Sequence, residues 1–261
     1  SSLNSDAPDG PVVEKGGAAQ HLRGVSSSGS TLTSSSTNYL TRNLKTCDPG
    51  AVTPCGALID FNTTNVSAAS LGVATNTERD SLVAWVRGQD VDDENSNNPI
   101  DDVRPSVHGD VVHSQPAVVD YGGSTGVIAF YGSNDGVFHA VDGGQTDAEG
   151  TELWGFIAPE TFSKLNRLKK NDPIISFPGI VGGTPKDYFF DGSIGVFRRD
   201  TTVWIFPTMH RGGRAIYAFD VSSPTSPTLK WRKGCFTSST ADDTNCSAGW
   251  TAIGQTWSKP Q

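Results

Sequence analysis

The chain has 261 residues, 18% of them charged and 35% hydrophobic, with 29 glycines and 15 prolines, a composition that suits short strands and turns better than long helices. Twenty basic against 28 acidic residues leave a net charge of -8, which argues against a basic nucleic-acid groove and against a polybasic membrane patch. No apolar run approaches the ~20 residues that a membrane-spanning helix needs, whereas 6 Trp, 5 Tyr and 12 Phe supply anchors for a folded core.

Residues 1–74 read as an irregular lead-in rich in Gly, Ser and Thr, with apolar islands at Val12, Val13, Leu22, Tyr39 and Leu40 that are too sparse to form a core alone. The polar opening has neither the basic nor the apolar segment of a signal peptide. It also lacks an initiator Met, and the chain stops just after Trp257, so both ends are expected to be cuts in a longer protein. The four cysteines fall as two local pairs, Cys47/Cys55 and Cys235/Cys246, each spanning a polar, turn-rich interval. A short crosslink would pin such a loop. Two local disulfides are therefore expected, and with them an oxidising compartment and an exported parent protein. Free thiols are one alternative and a four-thiolate zinc site another, although neither pair has the short internal gap of a zinc knuckle.

Residues 75–103 read as a helix followed by an acidic loop. Thr77 is the expected cap, Asp80 the third helical position, Leu82, Val83, Trp85 and Val86 the apolar stripe, and Gly88 the stop. In the loop, Asp90, Asp92, Glu94, Ser96, Asn98 and Asp101 occupy positions 1, 3, 5, 7, 9 and 12 when Asp90 is counted as 1. Oxygen donors at those offsets suit calcium, with carboxylates from Asp90, Asp92, Glu94 and Asp101, the amide of Asn98 and the backbone carbonyl of Ser96. Asn95 in place of glycine and the short Asp101 depart from that pattern. The bland reading is a solvated acidic turn.

From residue 104 onward the pattern is strand and turn, apart from a short helix expected from Pro159 to Lys169 on the apolar positions Phe162, Leu165 and Leu168. Strands are expected at 126–131, 137–141, 152–157, 188–190, 195–198, 202–206, 214–219 and 229–232, the first two joined by the Ser133-Asn-Asp-Gly136 turn. The phrase Val137-Phe-His-Ala-Val-Asp142 with Trp154 downstream recurs as Ile216-Tyr-Ala-Phe-Asp220 with Trp231, an interval of 78 residues between the two aspartates. Half of that, about 39 residues, matches one four-stranded propeller blade. The expected fold class is thus all-β: a partial β-propeller of four-stranded antiparallel blades over 104–261, with short helical insertions. Trp154 and Trp231 would be core rings.

The stretches Arg104-Pro-Ser-Val-His-Gly-Asp-Val-Val-His-Ser-Gln-Pro116, Tyr131-Gly-Ser-Asn-Asp-Gly-Val-Phe-His-Ala-Val-Asp142, Glu152-Leu-Trp-Gly-Phe-Ile-Ala-Pro159, Gly212-Gly-Arg-Ala-Ile-Tyr-Ala-Phe-Asp-Val221 and Gly254-Gln-Thr-Trp-Ser-Lys-Pro260 resemble the C-terminal propeller domain of the PilY1/PilC family of type IV pilus biogenesis factors. The resemblance runs over residues 75–261. It implies a quinoprotein-like propeller, a secreted protein at the pilus tip or outer surface that promotes pilus assembly, calcium control of extension and retraction, and adhesion in some members. Implied partners are pilin or minor pilin subunits and a host surface ligand; the repeat spacing adds the remainder of the propeller, as another chain or segment. No nucleic acid is expected.

No catalytic residue is expected. His108, Asp110 and His113 form a series that suits a metal or a general base, but no nucleophile accompanies them, and the structural alternative has Asp110 fixing the turn before the first strand. Asn134, Asp135, Gly136 and Asp142 resemble the blade signature of quinone-dependent dehydrogenases, so an exported propeller dehydrogenase is the alternative function. Sugar binding through exposed Trp and Tyr is a third reading.

Overall fold

A computed structural model of the chain describes residues 17–23, 38–94, 100, 102–144, 150–176, 181–237 and 241–261. Among the described residues three helices, α1 (Gly17–Leu22), α2 (Asn76–Arg87) and α3 (Phe162–Lys170), accompany ten strands. Strands β1 (Leu44–Cys47), β2 (Leu58–Asp60), β3 (Ala117–Asp120), β4 (Val127–Gly132), β5 (Phe138–Asp142) and β6 (Glu152–Phe156) form one sheet in the order β2-β1-β6-β5-β4-β3. Strands β7 (Ile194–Arg199), β8 (Thr202–Pro207), β9 (Arg214–Asp220) and β10 (Thr228–Cys235) form a second, all antiparallel.

The all-β propeller expectation is overturned. The molecule is mixed α and β, β1 pairs in parallel with β6, and neither sheet closes on itself among the described residues. The reason lies in the repeat. Halving its interval requires an intervening sheet around residues 188–197, but Tyr188, Phe189 and Phe190 are not strand, and β7 belongs to the same sheet as β9. The interval is one step from sheet to sheet, from β5 to β9, lengthened by α3 and the loop after it. With the propeller goes the fold-level ground for a dehydrogenase.

Local signals explain most boundaries. Helix α2 is capped by Thr75, two residues before the expected Thr77, because Glu78 completes a capping box: Thr75 Oγ1 accepts from the Glu78 amide (3.2 Å) and Glu78 Oε2 from the Thr75 amide (3.1 Å). Asp80 instead pairs with Arg79 at 2.8 Å. The helix stops at Gly88, whose φ of 110° is left-handed backbone that glycine adopts without strain. Helix α3 follows a 3₁₀ turn at Pro159–Thr161 and ends on left-handed Asn171, with Arg167, Lys169 and Lys170 in its last turn.

The main core is aromatic and lies where the two sheets face each other. Phe138 of β5 stacks on Phe219 of β9 at 6.2 Å, and Phe156 meets Phe219 edge-on at 5.0 Å. Each such pair contributes about 0.5–1.5 kcal/mol beyond area burial. Trp154 is fully buried and its indole N–H donates to Pro224 O at 2.7 Å. Trp231, its partner in the repeat, is not core: it follows a bulge in the β9–β10 pairing and is 37% exposed against Phe206. A second core unites α2 and α3 through Leu82, Val86, Phe162 and Leu165 with Phe61 and Phe189.

Two glycines fix how the sheets are joined. A β-carbon on Gly132 would lie 1.8 Å from Phe190 O, and one on Gly212 would lie 1.7 Å from Phe189 O. The segment carrying Phe189, Phe190 and Asp191 thus runs hard against backbone at both positions, where no side chain fits.

Candidate functional site

Three arrangements carry chemistry, and the first is a buried ionic chain. Arg42 forks onto Glu152 (Nε–Oε2 2.6 Å, Nη2–Oε1 2.9 Å), Glu152 Oε1 accepts from His139 Nδ1 at 2.7 Å, and His139 Nε2 faces Ser133 Oγ at 2.9 Å and Asp135 Oδ2 at 3.3 Å. Asp135 Oδ1 also accepts from the Val137 amide at 2.9 Å and Oδ2 from the Gly109 amide at 3.2 Å, which closes the β4–β5 turn. Burial alone would push the His139 imidazole down, but the two carboxylates outweigh it and raise its pKa to about 9. Burial would likewise raise the acids. The charge and hydrogen bond of His139 instead hold Asp135 far below the usual carboxylate range, and Arg42 together with His139 does the same for Glu152. His108 stacks on His139 at 4.7 Å, and its pKa is lowered by burial and by that neighbouring cation. Its Nδ1 sits 2.7 Å from Gly109 O and must donate, leaving Nε2 to accept from Tyr131 Oη at 2.8 Å.

The second arrangement gathers His113, Asp191 and His210. Asp191 is buried, its Oδ2 lying 2.6 Å from His113 Nδ1 and 3.3 Å from His210 Nδ1, while its Oδ1 accepts from the His113 amide at 3.3 Å. The sequence series His108, Asp110, His113 is therefore not one site. His108 faces the ionic chain, His113 faces Asp191, and Asp110 places its carboxylate on Lys186 rather than on the backbone. Sequence reasoning places Asp191-Gly192 among the family-like motifs but missed Asp191 and His210 as partners of His113, because they lie 78 and 97 residues beyond it and meet it only through the sheet-to-sheet connection.

The third is a cleft of about 670 Å³ between two crosslinked loops. Cys47 and Cys55 are disulfide-bonded, as are Cys235 and Cys246. Pro49 and Pro54 line one wall and Thr244 and Asn245 the other, with Glu160 and Arg232 between them. Their side chains are largely covered and 3.5 Å apart. Tyr217 Oη lies 2.7 and 2.9 Å from the two Glu160 oxygens. Burial raises the Glu160 pKa against the opposing pull of Arg232 and Tyr217. The Arg232 guanidinium also lies 3.8 Å over the Phe236 ring. The grouping of Cys235 and Cys246 with Asp243 offers a metal nothing, because both sulfurs are in the disulfide.

In the acidic loop, Ser96, Asn98 and Asp101 lie outside the described residues. The other three carboxylates are directed to separate partners. Buried Asp90 accepts from the Glu94 amide at 2.7 Å, Asp92 pairs with Lys169 at 2.8 Å, and Glu94 accepts from the Trp85 indole at 3.1 Å. They form no cluster of metal-ligand spacing among the described residues.

Among the described residues no helix is long and apolar enough to cross a membrane. No family model matches the chain, and no solved structure does. It is 32% identical over 190 residues to the type IV pilus biogenesis factor PilY1 of Pseudomonas aeruginosa strain UCBPP-PA14, covering 60% of this chain and 14% of that protein. To the PilY1 of strain PAK it is 27% identical over 186 residues. A PilY1 homolog of Xylella fastidiosa is 26% identical over 231 residues, covering 78% of this chain and 16% of that protein. The chain is thus similar, distantly and in part, to type IV pilus biogenesis factors, and spans about a seventh of the length of these curated relatives.

Proposed function

We propose that this chain is a protein-binding segment of an exported, pilus-associated factor that promotes type IV pilus assembly at the tip or outer surface, with adhesion as part of that role. It acts by docking rather than by turnover. The partial likeness to PilY1 supports the pilus role. The observation that carries the docking reading is the cleft between the Cys47–Cys55 and Cys235–Cys246 loops. Loops with little apolar surface hold a fixed shape only when something other than a core orders them, and a short crosslink does that at a stabilisation of about 2–3 kcal/mol each. Fixed walls lower the ordering cost of binding. A pilin or minor pilin subunit is the proposed occupant, and calcium control through the loop from Asp90 to Asp101 belongs to the same proposal.

Biolayer interferometry with purified pilin subunits tests it. Saturable binding by the oxidised chain is expected, and Asn245→Arg, which places a long side chain on an exposed wall of the cleft, should weaken it at least tenfold. No binding to any pilin subunit, or undiminished binding by the variant, defeats the cleft reading. Titration of calcium into the parent and the Asp90→Ala/Asp92→Ala variant tests the loop separately, equal affinities speaking against it.

A further inference from the structure

We propose that His113, Asp191 and His210 form a binding site for a divalent transition-metal ion of the zinc type, with three protein ligands and a fourth position open to solvent. The donor set is the first reason. Two imidazoles and a carboxylate are the ligands zinc takes at sites that keep an open position, whereas calcium and magnesium call for oxygen alone.

Spacing is the second reason. Two ligand atoms on one tetrahedral zinc ion lie roughly 3.2–3.6 Å apart. His210 Nδ1 and Asp191 Oδ2 are already 3.3 Å apart, His113 Nδ1 lies 2.6 Å from the same oxygen, and one donor atom from each of the three residues falls within 4.8 Å of the others, so movements on the order of 1 Å bring them onto one ion. His113 is the ligand freest to move, since its side chain is 35% exposed against 13% for His210 and 1% for Asp191.

Preorganisation is the third. Asp191 follows Phe189 and Phe190 on the segment seated against Gly132 and Gly212. His210 occupies left-handed backbone at φ 50°, uncommon for a residue with a side chain, and is held there by a bridge to Thr256, whose hydroxyl accepts from the Met209 amide at 2.9 Å. The ring of Trp257 lies 3.7 Å from that of His210 and shields one side. Of the nearby cations, Lys186 is paired with Asp110, and Arg211 lies over the rings of Tyr188 and Trp257 at 5.6 and 5.9 Å. Zinc bound here would join three separated parts of the chain at one atom, beside a surface where a partner's side chain can supply the fourth ligand.

Calorimetric titration of the 261-residue chain with Zn²⁺ is the test, paired with Cu²⁺ quenching of tryptophan fluorescence. One equivalent is expected to bind, His113→Ala and His210→Ala should each weaken it at least tenfold, and His21→Ala should leave it unchanged. Cu²⁺, which takes the same nitrogen-rich set, should quench a component of emission that Trp257→Phe removes. His113→Ala, at the most exposed ligand, should melt within a few degrees of the parent, so its loss of binding is not a loss of fold. Undiminished zinc affinity in His113→Ala and His210→Ala overturns the site, as does loss in His108→Ala alone, which would move the ion to the ionic chain. Absence of binding by the parent overturns it outright.

Discussion

Glu152→Gln should destabilise the folded chain by about 3–5 kcal/mol, because it leaves Arg42 and His139 as buried cations around a neutral amide. Urea denaturation of parent and variant measures this directly, and a change below about 1 kcal/mol would show that the ionic chain is replaceable. The same network sets a pH window. His139 has a folded pKa of about 9 against an ordinary value of 6.5, so its contribution is fully present below 6.5 and is lost as pH rises toward 9. Glu152 and Asp135 are shifted the other way. Their contribution is present above the usual carboxylate range and disappears as acid protonates them. These are the same attractions seen from both partners, not separate gains. Thermal midpoints should therefore peak between about pH 5 and 6.5 and decline on both sides, and His139→Gln should flatten the alkaline limb.

Trp154→Ala should cost about 3–5 kcal/mol, since it empties a fully buried indole site and leaves Pro224 O without its donor. Trp231→Ala should cost less than about 1 kcal/mol, because that ring is 37% exposed and leans on Phe206 alone among the described aromatics. Chemical denaturation of the two variants side by side checks the contrast. Equal losses would mean that the two halves of the repeat play the same packing role.

That contrast shows how far the sequence could be read. The hairpin from β4 to β5, strands β6 to β10 and both longer helices follow from local apolar periodicity and turn residues, and they appear within a few residues of their expected places. β1, β2 and β3 did not announce themselves, because Leu44–Cys47, Leu58–Asp60 and Ala117–Asp120 are short and gain their strand character from pairing with distant segments. The repeat was legible but its interval was misassigned, since the sequence of residues 170–190 carries no mark that distinguishes a connection from a sheet. The ionic chain has the same origin. Asp135 and His139 sit within one hairpin, while Arg42 and Glu152 complete it only because β1 lies beside β6.

The two crosslinks also have a mechanical meaning for the chain under tension. A disulfide removes the residues it encloses from the length a pulled polypeptide can yield, and these enclose intervals of 8 and 11 residues. At ~3.3–3.6 Å per residue, roughly 60 Å of contour is withheld while the bonds stay oxidised. Stretched to the point of unravelling, the oxidised chain is shorter and stiffer than the reduced one. The slack sits in the two loops that wall the cleft, so tension along the backbone passes through the sulfur bridges and bypasses the residues they enclose.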